Sequence, residues 1–261
     1  MSVAVLAPTV GVEHPGASWR ASPNFGERYS GKSINSIVLH YTGMEDGKGA
    51  EDWLCDRASG VSSHYLVHED GHVVQMVLEK DRAWHAGIGC WRGERDMNSV
   101  SVGIEIVNAG HRGWSDQQTR GTLPHYPDPQ IGSVIELCHG IVERWDLDPT
   151  RIVGHSDLAP HRKRDPGEAF PWQRLCDEGL GLCVEPTPLG EGTRLGVSTV
   201  QAMLGEIGFE VEPTGTYCPR TAMAVAAFQR HWRPTRVDGV ADASTCETIR
   251  RLREECLNAR R

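Results

Sequence analysis

The sequence predicts an α/β fold with a mixed central sheet flanked by helices, followed by a C-terminal three-helix unit. Short apolar runs rich in β-branched residues precede residue 155, and a Pro- and Gly-rich stretch precedes three segments with helical apolar spacing. These observations predict an N-terminal extension (1–29), a larger domain (30–183), a linker (184–196) and a helical unit (197–257).

Five runs predict the strands of the larger domain. INSIVLHY (34–41) is an apolar run typical of a buried strand, and VSVGIEIV (100–107) is similar. HYLV (64–67) and HVVQMV (72–77) flank the turn sequence Glu-Asp-Gly, which predicts a hairpin. RIVG (151–154) predicts a short strand, so the domain combines strands and helices in one sheet-based core.

Helical spacing predicts one long helix in the larger domain and three helices after the linker. The long helix begins near Pro129, which suits a first turn, and its apolar stripe is Ile131, Val134, Ile135, Cys138, Ile141, Val142 and Trp145. The three later stripes are centred on Leu204, Phe228 and Ile249. A unit of about 60 residues is small for independent stability, so we expect it to pack against the larger domain.

Charge and hydropathy exclude two classes of partner. The formal net charge of −8 argues against a nucleic-acid surface, which needs a basic footprint. No run reaches the roughly 18 apolar residues of a membrane span. The N-terminal stretch lacks a basic start and Pro8 interrupts its apolar run, which favours the cytoplasm, with the periplasm as the alternative.

The eight cysteines form no CxxC pair. Scattered cysteines in a chain of this length are usually small buried hydrophobes, and Cys138 falls on an apolar helix stripe. We therefore expect them to be packing residues rather than disulfides.

The candidate chemistry lies at strand ends and in GHSDLAPHRKRDPG (154–167), a stretch with almost no apolar side chains. His40 ends one strand, His155 follows another, and Asp165 lies ten residues further. Two imidazoles and a carboxylate would leave a zinc ion one open position for water. Spacing alone leaves open that such a histidine merely bonds to backbone. Glu105 stands between two isoleucines in an apolar strand. Burying a carboxylate there costs free energy, which indicates that Glu105 has a function.

Five motifs carry a resemblance to a known family. VLHYT, VSSHYLV, AWHAG, VGIEIVN and GHSDLAPHRKRDPG occur in this order, and together they resemble the zinc-dependent N-acetylmuramoyl-L-alanine amidases of the AmpD and AmiD type. These are relatives of phage T7 lysozyme and peptidoglycan recognition proteins. The helical unit, with VSTVQAMLGEIGF and TGTYCPRTAMAVAAFQ, is similar to peptidoglycan-binding three-helix domains.

The resemblance implies a role for five residues. It makes His40, His155 and Asp165 the ligands of one Zn²⁺ per chain. It makes Glu105 the proton carrier for water and leaving amine, and Lys163 the cation that stabilises the oxyanion.

The resemblance also suggests contacts with the substrate. His85, Ala86 and Gly87, in AWHAG, would border the cleft. Arg92 would pair with a stem-peptide carboxylate, although a solvated arginine is an equal alternative. Asp96 stands where relatives often carry arginine, which puts substrate contacts rather than chemistry in question.

Other polar residues near the motifs receive no catalytic role. The resemblance gives His161 no ligand role, so we expect it to be exposed or behind the site. Arg162 and Arg164 are expected to be exposed loop cations, and His64 a structural core histidine.

The implied activity is hydrolysis of the amide between N-acetylmuramic acid, or its 1,6-anhydro form, and L-alanine of the stem peptide. The absence of a leader-like N-terminus favours recycling of soluble peptidoglycan fragments. Two alternatives stay open: an amidase that acts on intact wall outside the cytoplasm, and a non-catalytic peptidoglycan-binding protein.

Overall fold

The computed structural model describes residues 11–111 and 123–259. Its strands are β1 (Ser18–Trp19), β2 (Phe25–Gly26), β3 (Ser36–Tyr41), β4 (Tyr65–Val67), β5 (Val73–Gln75), β6 (Arg82–Ala83), β7 (Ser101–Ile106) and β8 (Ile152–Gly154). Its α-helices are α1 (Gly47–Leu54), α2 (Met97–Val100), α3 (Asp128–Trp145), α4 (His155–Leu158), α5 (Trp172–Asp177), α6 (Val197–Ile207), α7 (Pro219–Trp232) and α8 (Ala243–Asn258). All predicted strands and helices are present, each within a few residues of its expected bounds.

The main sheet has the strand order β1-β5-β4-β7-β3-β8. The strand β3 lies between β7 and β8 and pairs with both in parallel. The strands β4 and β5 pair antiparallel across the predicted hairpin, whose Gly71 has a positive φ of 89°. The mixed sheet is therefore confirmed.

Alternate side chains of the central strands point to opposite faces of the sheet and pack into different apolar clusters. Ile37 and Leu39 of β3 join Val102 and Ile104 of β7 in the core beneath α3. On the opposite face, two separate clusters leave a gap between them. One lies under α1 and the other lies under the C-terminal helices. Polar side chains of the central strands emerge into this gap.

The three C-terminal helices share a core with the larger domain, as their small size predicts. Leu204, Phe228 and Ile249 belong to the same buried cluster as Val38 and Val153 of the sheet. This is a common core and not a pair of separate ones, so the helical unit is part of one packed body.

The segment assigned to an N-terminal extension also contributes to the larger domain. Its β1 pairs in parallel with β5 at the sheet edge. The Arg28 guanidinium donates hydrogen bonds to the carbonyl oxygens of Glu79, Asn98 and Ser101. The described part of this segment therefore belongs to the folded domain.

The expectation that all cysteines are packing residues is wrong for one pair. Cys176 and Cys183 form a disulfide with a Cα–Cα distance of 5.7 Å. The chain turns back after α5, where Leu180 N donates to Leu175 O, and this brings the two residues together. Cys138 is fully buried on α3, as predicted.

None of the helices in the described part of the chain has the length and apolarity that a bilayer crossing requires.

His64 is a fully buried core histidine, as predicted. Its Nδ1 accepts a hydrogen bond from Gly103 N at 2.9 Å, and its Nε2 donates to Asp81 O at 3.1 Å. This pairing requires the neutral ring. Burial, together with the nearby Arg28 charge, lowers the pKa of His64 from 6.5 to about 3.

Stability should therefore fall with acid through this residue. The unfolded chain takes up the His64 proton near pH 6.5, whereas the folded chain resists it until pH reaches about 3. The stabilisation present above pH 6.5 is lost as pH falls, by up to about 1.4 kcal/mol per pH unit. Urea unfolding of wild type and His64→Gln across this window should show a steeper acid loss in wild type. Parallel curves would contradict this account.

Candidate active site

The register of the central strands brings His40 and Glu105 side by side. In the parallel pairing of β3 with β7, His40 is the direct partner of Glu105. Direct partners project from the same face, so both side chains enter the gap opposite α3. The arrangement follows from strand pairing alone and needs no irregular backbone.

The other two predicted ligands come from the segment that follows β8. His155 is the first residue of α4, directly after β8, which is the parallel neighbour of β3. The chain then loops back, and Ser156 N donates to Asp165 O at 2.9 Å. This bond closes the loop and carries Asp165 beside His155.

Three ligand-type atoms converge at this point. His40 Nδ1 lies 2.9 Å from His155 Nδ1 and 2.9 Å from Asp165 Oδ2, and His155 Nδ1 lies 3.0 Å from that oxygen. All three residues are buried. Among residues 11–111 and 123–259, no other group of three His, Cys, Asp or Glu side chains converges in this way.

Hydrogen bonds behind His155 orient its ring. Its Nε2 lies 2.8 Å from the carbonyl oxygen of Ala86 and must donate to it. The neutral ring then presents the lone pair of Nδ1 to the cluster. Arg162 donates to the same carbonyl and to that of Ile88, so this arginine holds the loop rather than being the exposed cation expected from the sequence.

A longer chain of hydrogen bonds orients His40. The Ser101 hydroxyl donates to the Met97 carbonyl, so its oxygen is free to accept from His85 Nε2 at 3.3 Å. His85 Nδ1 then accepts from His40 Nε2 at 3.0 Å. His40 is left with a lone pair on Nδ1, directed at the cluster.

Glycine at position 103 makes room for this chain. A Cβ atom there would lie 2.4 Å from Cγ of His85. The His85 ring therefore lies directly on the backbone of β7, which is why the strand carries a glycine between two apolar residues.

The donor set fits a divalent metal ion. Both Nδ1 atoms and the carboxylate oxygen are acceptors, and three acceptors this close repel one another unless a cation or proton lies among them. Burial, with the neighbouring His155, lowers the pKa of His40 to about 4, which keeps its lone pair available. Burial raises the pKa of Asp165, but His155 and His40 outweigh it, and the pKa lies well below its usual range. Two imidazoles and one carboxylate suit zinc.

Glu105 and Lys163 line the same cavity as the three ligand-type residues. In the described part of the chain, buried Oε2 of Glu105 has no hydrogen-bond partner. Burial, with the nearby Asp165 charge, raises the pKa of Glu105 well above its usual range, while Lys163 opposes the shift. A carboxylate whose pKa is raised in this way is a stronger base than an ordinary glutamate.

The cavity extends away from the cluster along an apolar wall that sequence reasoning missed. Its volume is about 260 Å³, and its far wall consists of Met44, Ala50, Trp53, Leu54, Val61 and Trp84. Trp53, on α1, is 53% exposed. The sequence around Trp53 gave no signal that places α1 beside the cavity.

Residues 30–168 match the N-acetylmuramoyl-L-alanine amidase family, and residues 193–249 match a peptidoglycan binding domain family. The chain belongs to the N-acetylmuramoyl-L-alanine amidase family. The AmiD amidase of Escherichia coli K12 is 36% identical to this amidase over 227 residues, which are 81% of this chain and 79% of AmiD.

Other relatives agree. The 1,6-anhydro-N-acetylmuramyl-L-alanine amidase AmpD of Enterobacter cloacae is 37% identical over 171 residues, covering 59% of this chain and 85% of AmpD. Escherichia coli AmiD bound to the substrate anhydro-N-acetylmuramic acid-L-Ala-D-γ-Glu-L-Lys superposes with a TM-score of 0.73 and 32% identity, over 89% of this chain and 98% of AmiD. AmpDh3 of Pseudomonas aeruginosa with anhydromuramic pentapeptide gives a TM-score of 0.73, with 30% identity, 91% of this chain and 96% of that one.

Of the residues expected to contact substrate, the structure of the amidase places only some at the cavity. His85 lines the cavity, whereas Ala86 and Gly87 lie behind His155, where the Ala86 carbonyl and Arg162 meet. The structure does not bring Arg92 to the cavity: its Nε donates to Ile207 O in the helical unit. Arg92 is an interface residue because the C-terminal helices cover the segment that carries it.

Two further residues near the motifs have clear positions in the amidase. Asp96 accepts a charged hydrogen bond from Arg82 at 2.9 Å, at the edge of the motif region and away from the cavity lining. His161 is exposed, in keeping with its exclusion from the ligand set.

The ligand assignment can be tested by metal analysis. We expect purified amidase to hold one zinc ion per chain and Asp165→Ala to lose most of it on dialysis, because two imidazoles alone hold the ion less tightly. His161→Ala, an exposed change in the same loop, is the control and should keep the ion. Full zinc retention in Asp165→Ala would remove Asp165 from the ligand set.

Proposed function

We propose that this chain is a zinc-dependent hydrolase of the amide between N-acetylmuramic acid, with either a reducing or a 1,6-anhydro sugar, and L-alanine of the stem peptide. The observation that carries the proposal is the convergence of His40 Nδ1, His155 Nδ1 and Asp165 Oδ2 beside an unpartnered carboxylate. The substrate bound to Escherichia coli AmiD supplies the substrate class.

The three ligands would hold zinc with one position open to the cavity. When bound, zinc would lower the pKa of a water molecule and polarise the amide carbonyl. Lys163, which lines the same cavity, would place its ammonium group near the oxygen that becomes negative in the tetrahedral intermediate.

Glu105 would move the proton in both halves of the reaction. Its free Oε2 accepts a proton from water as the water oxygen adds to the carbonyl carbon. The same oxygen then donates that proton to the leaving nitrogen as the carbon–nitrogen bond breaks. The raised pKa of Glu105 suits the first of these steps, because it makes the carboxylate a stronger base toward the water.

The biological setting has two candidates. Recycling of soluble muropeptides in the cytoplasm is the first. The disulfide between Cys176 and Cys183 favours the second, action on intact wall outside the cytoplasm, because disulfides persist mainly in oxidising compartments. The match of residues 193–249 to a peptidoglycan binding domain also supports the second candidate.

Glu105→Gln should separate proton transfer from metal binding. We expect the variant to keep its zinc and to lose about 10²- to 10⁴-fold in kcat, because the amide cannot take the proton from water. Glu69→Gln, an exposed change in the hairpin between β4 and β5, should leave kcat unchanged. Unaltered turnover in Glu105→Gln would show that another group carries the proton.

Mass spectrometry of digests would distinguish the two settings. Zinc-loaded protein would receive anhydro-N-acetylmuramic acid-L-Ala-D-γ-Glu-L-Lys and, in parallel, intact sacculi. Free tripeptide from the soluble substrate is expected, and stem peptides from sacculi as well would support the wall-facing candidate. Sacculi left intact would favour recycling. Release from neither substrate by zinc-bound protein would contradict the amidase proposal and favour a binding role.

A further inference from the structure

The end of α7 in the helical unit reaches the loop that carries two of the ligands. Its last two residues, His231 and Trp232, are buried, at 6% and 4% exposure. They pack toward α4, which begins with His155. The contact joins the C-terminal helices to the metal-binding segment and not merely to the outer surface of the larger domain.

Two tryptophans hold the ring of His231 in place. Its centroid lies 3.5 Å from that of Trp172, with 20° between the planes, and 3.6 Å from that of Trp232, with 9° between them. Trp232 is itself fixed, because its Nε1 donates to Leu182 O at 2.7 Å. The stacking therefore restrains the plane of the histidine ring.

In this orientation His231 donates to a buried carboxylate. Its Nδ1 lies 2.7 Å from Oδ2 of Asp157, which is 1% exposed. The same oxygen accepts from Gly154 N at 2.8 Å. The second oxygen, Oδ1, is buried and has no partner within the described residues. Without His231, Asp157 would keep a single donor.

The carboxylate of Asp157 fixes the backbone next to a metal ligand. Gly154 ends β8, and His155 follows it directly. A Cβ at position 154 would lie 2.8 Å from Cδ of Pro166 and 3.3 Å from the Trp172 ring, so the backbone there is closely packed. The direction in which His155 leaves β8 therefore depends on Asp157 and the donor that holds it.

We infer that the helical unit is part of the metal site: His231 is a positioning residue that sets His155 through Asp157 and Gly154. The inference rests on the proposed function, because it takes the bound ion to be zinc. It gives the peptidoglycan-binding-like domain a role inside the catalytic unit that is independent of wall binding.

Two substitutions of His231 separate its hydrogen bond from its packing. His231→Phe keeps a flat ring between the tryptophans but removes the donor. His231→Asn keeps an N–H donor close to the position of Nδ1 but removes the ring. Phe209→Leu is the control for loosened packing, because Phe209 contacts Trp91 and Trp232 in the shared core and makes no bond to Asp157.

The readouts are zinc affinity, from competition with a chelator, and the visible absorption spectrum of the cobalt-substituted full-length protein. We expect His231→Phe to raise the zinc Kd about 10- to 100-fold and to shift the cobalt bands, as loss of groups behind a metal ligand usually does. His231→Asn and Phe209→Leu should stay within about threefold of wild type, well below that range.

Three results would overturn the inference, and a fourth would refute the proposed function instead. Wild-type affinity and spectrum in His231→Phe would overturn the inference, and so would an equal loss in Phe209→Leu, which would assign the effect to packing. Should His231→Phe fail to fold, Asp157→Ala replaces it, because it removes the oxygen that accepts from both Gly154 N and His231 Nδ1. Unchanged zinc affinity in that variant would also overturn the inference. A wild-type protein that binds no zinc would instead refute the proposed function.

Discussion

The parallel pairing of β3 with β7 on one side and β8 on the other is the constraint on which the site depends. It sets His40 beside Glu105 and brings the start of α4, with His155, to the neighbouring strand end. Three groups from distant parts of the sequence meet without any unusual backbone. A slip of one residue in either pairing would turn His40 toward the core beneath α3.

The two faces of the sheet have different roles: one packs the apolar core and the other carries the polar groups of the site. The face beneath α3 is a continuous apolar core, and it supplies the burial that stabilises the fold. The opposite face is interrupted, with apolar clusters on either side and polar groups between them. Ser101, His85 and His40 satisfy one another there through hydrogen bonds in series, whereas Oε2 of Glu105 has no partner among the described residues.

Much of the fold could be predicted from the sequence because strand and helix periodicity is local. The strand predicted at 34–41 is observed at Ser36–Tyr41, and the long helix begins at Asp128, one residue before the proline that indicated it. The motifs pointed to the three residues that converge. The groups behind them could not be predicted: His85 lies 45 residues from His40, and His231 lies 74 residues from Asp157. Residue pattern carries no information about such pairings.

The core that α6, α7 and α8 share with the sheet limits how this protein can be divided. Val38 and Val153 of the sheet pack in one cluster with Leu204 and Phe228. Cutting the chain in the linker would leave two complementary apolar surfaces in water, so neither half is a ready-made module. Relatives that align only with the first part of the chain must close this face by other means. Chimeras that exchange the helical unit among such proteins would need a redesigned contact surface between the helices and the sheet, whatever linker is used.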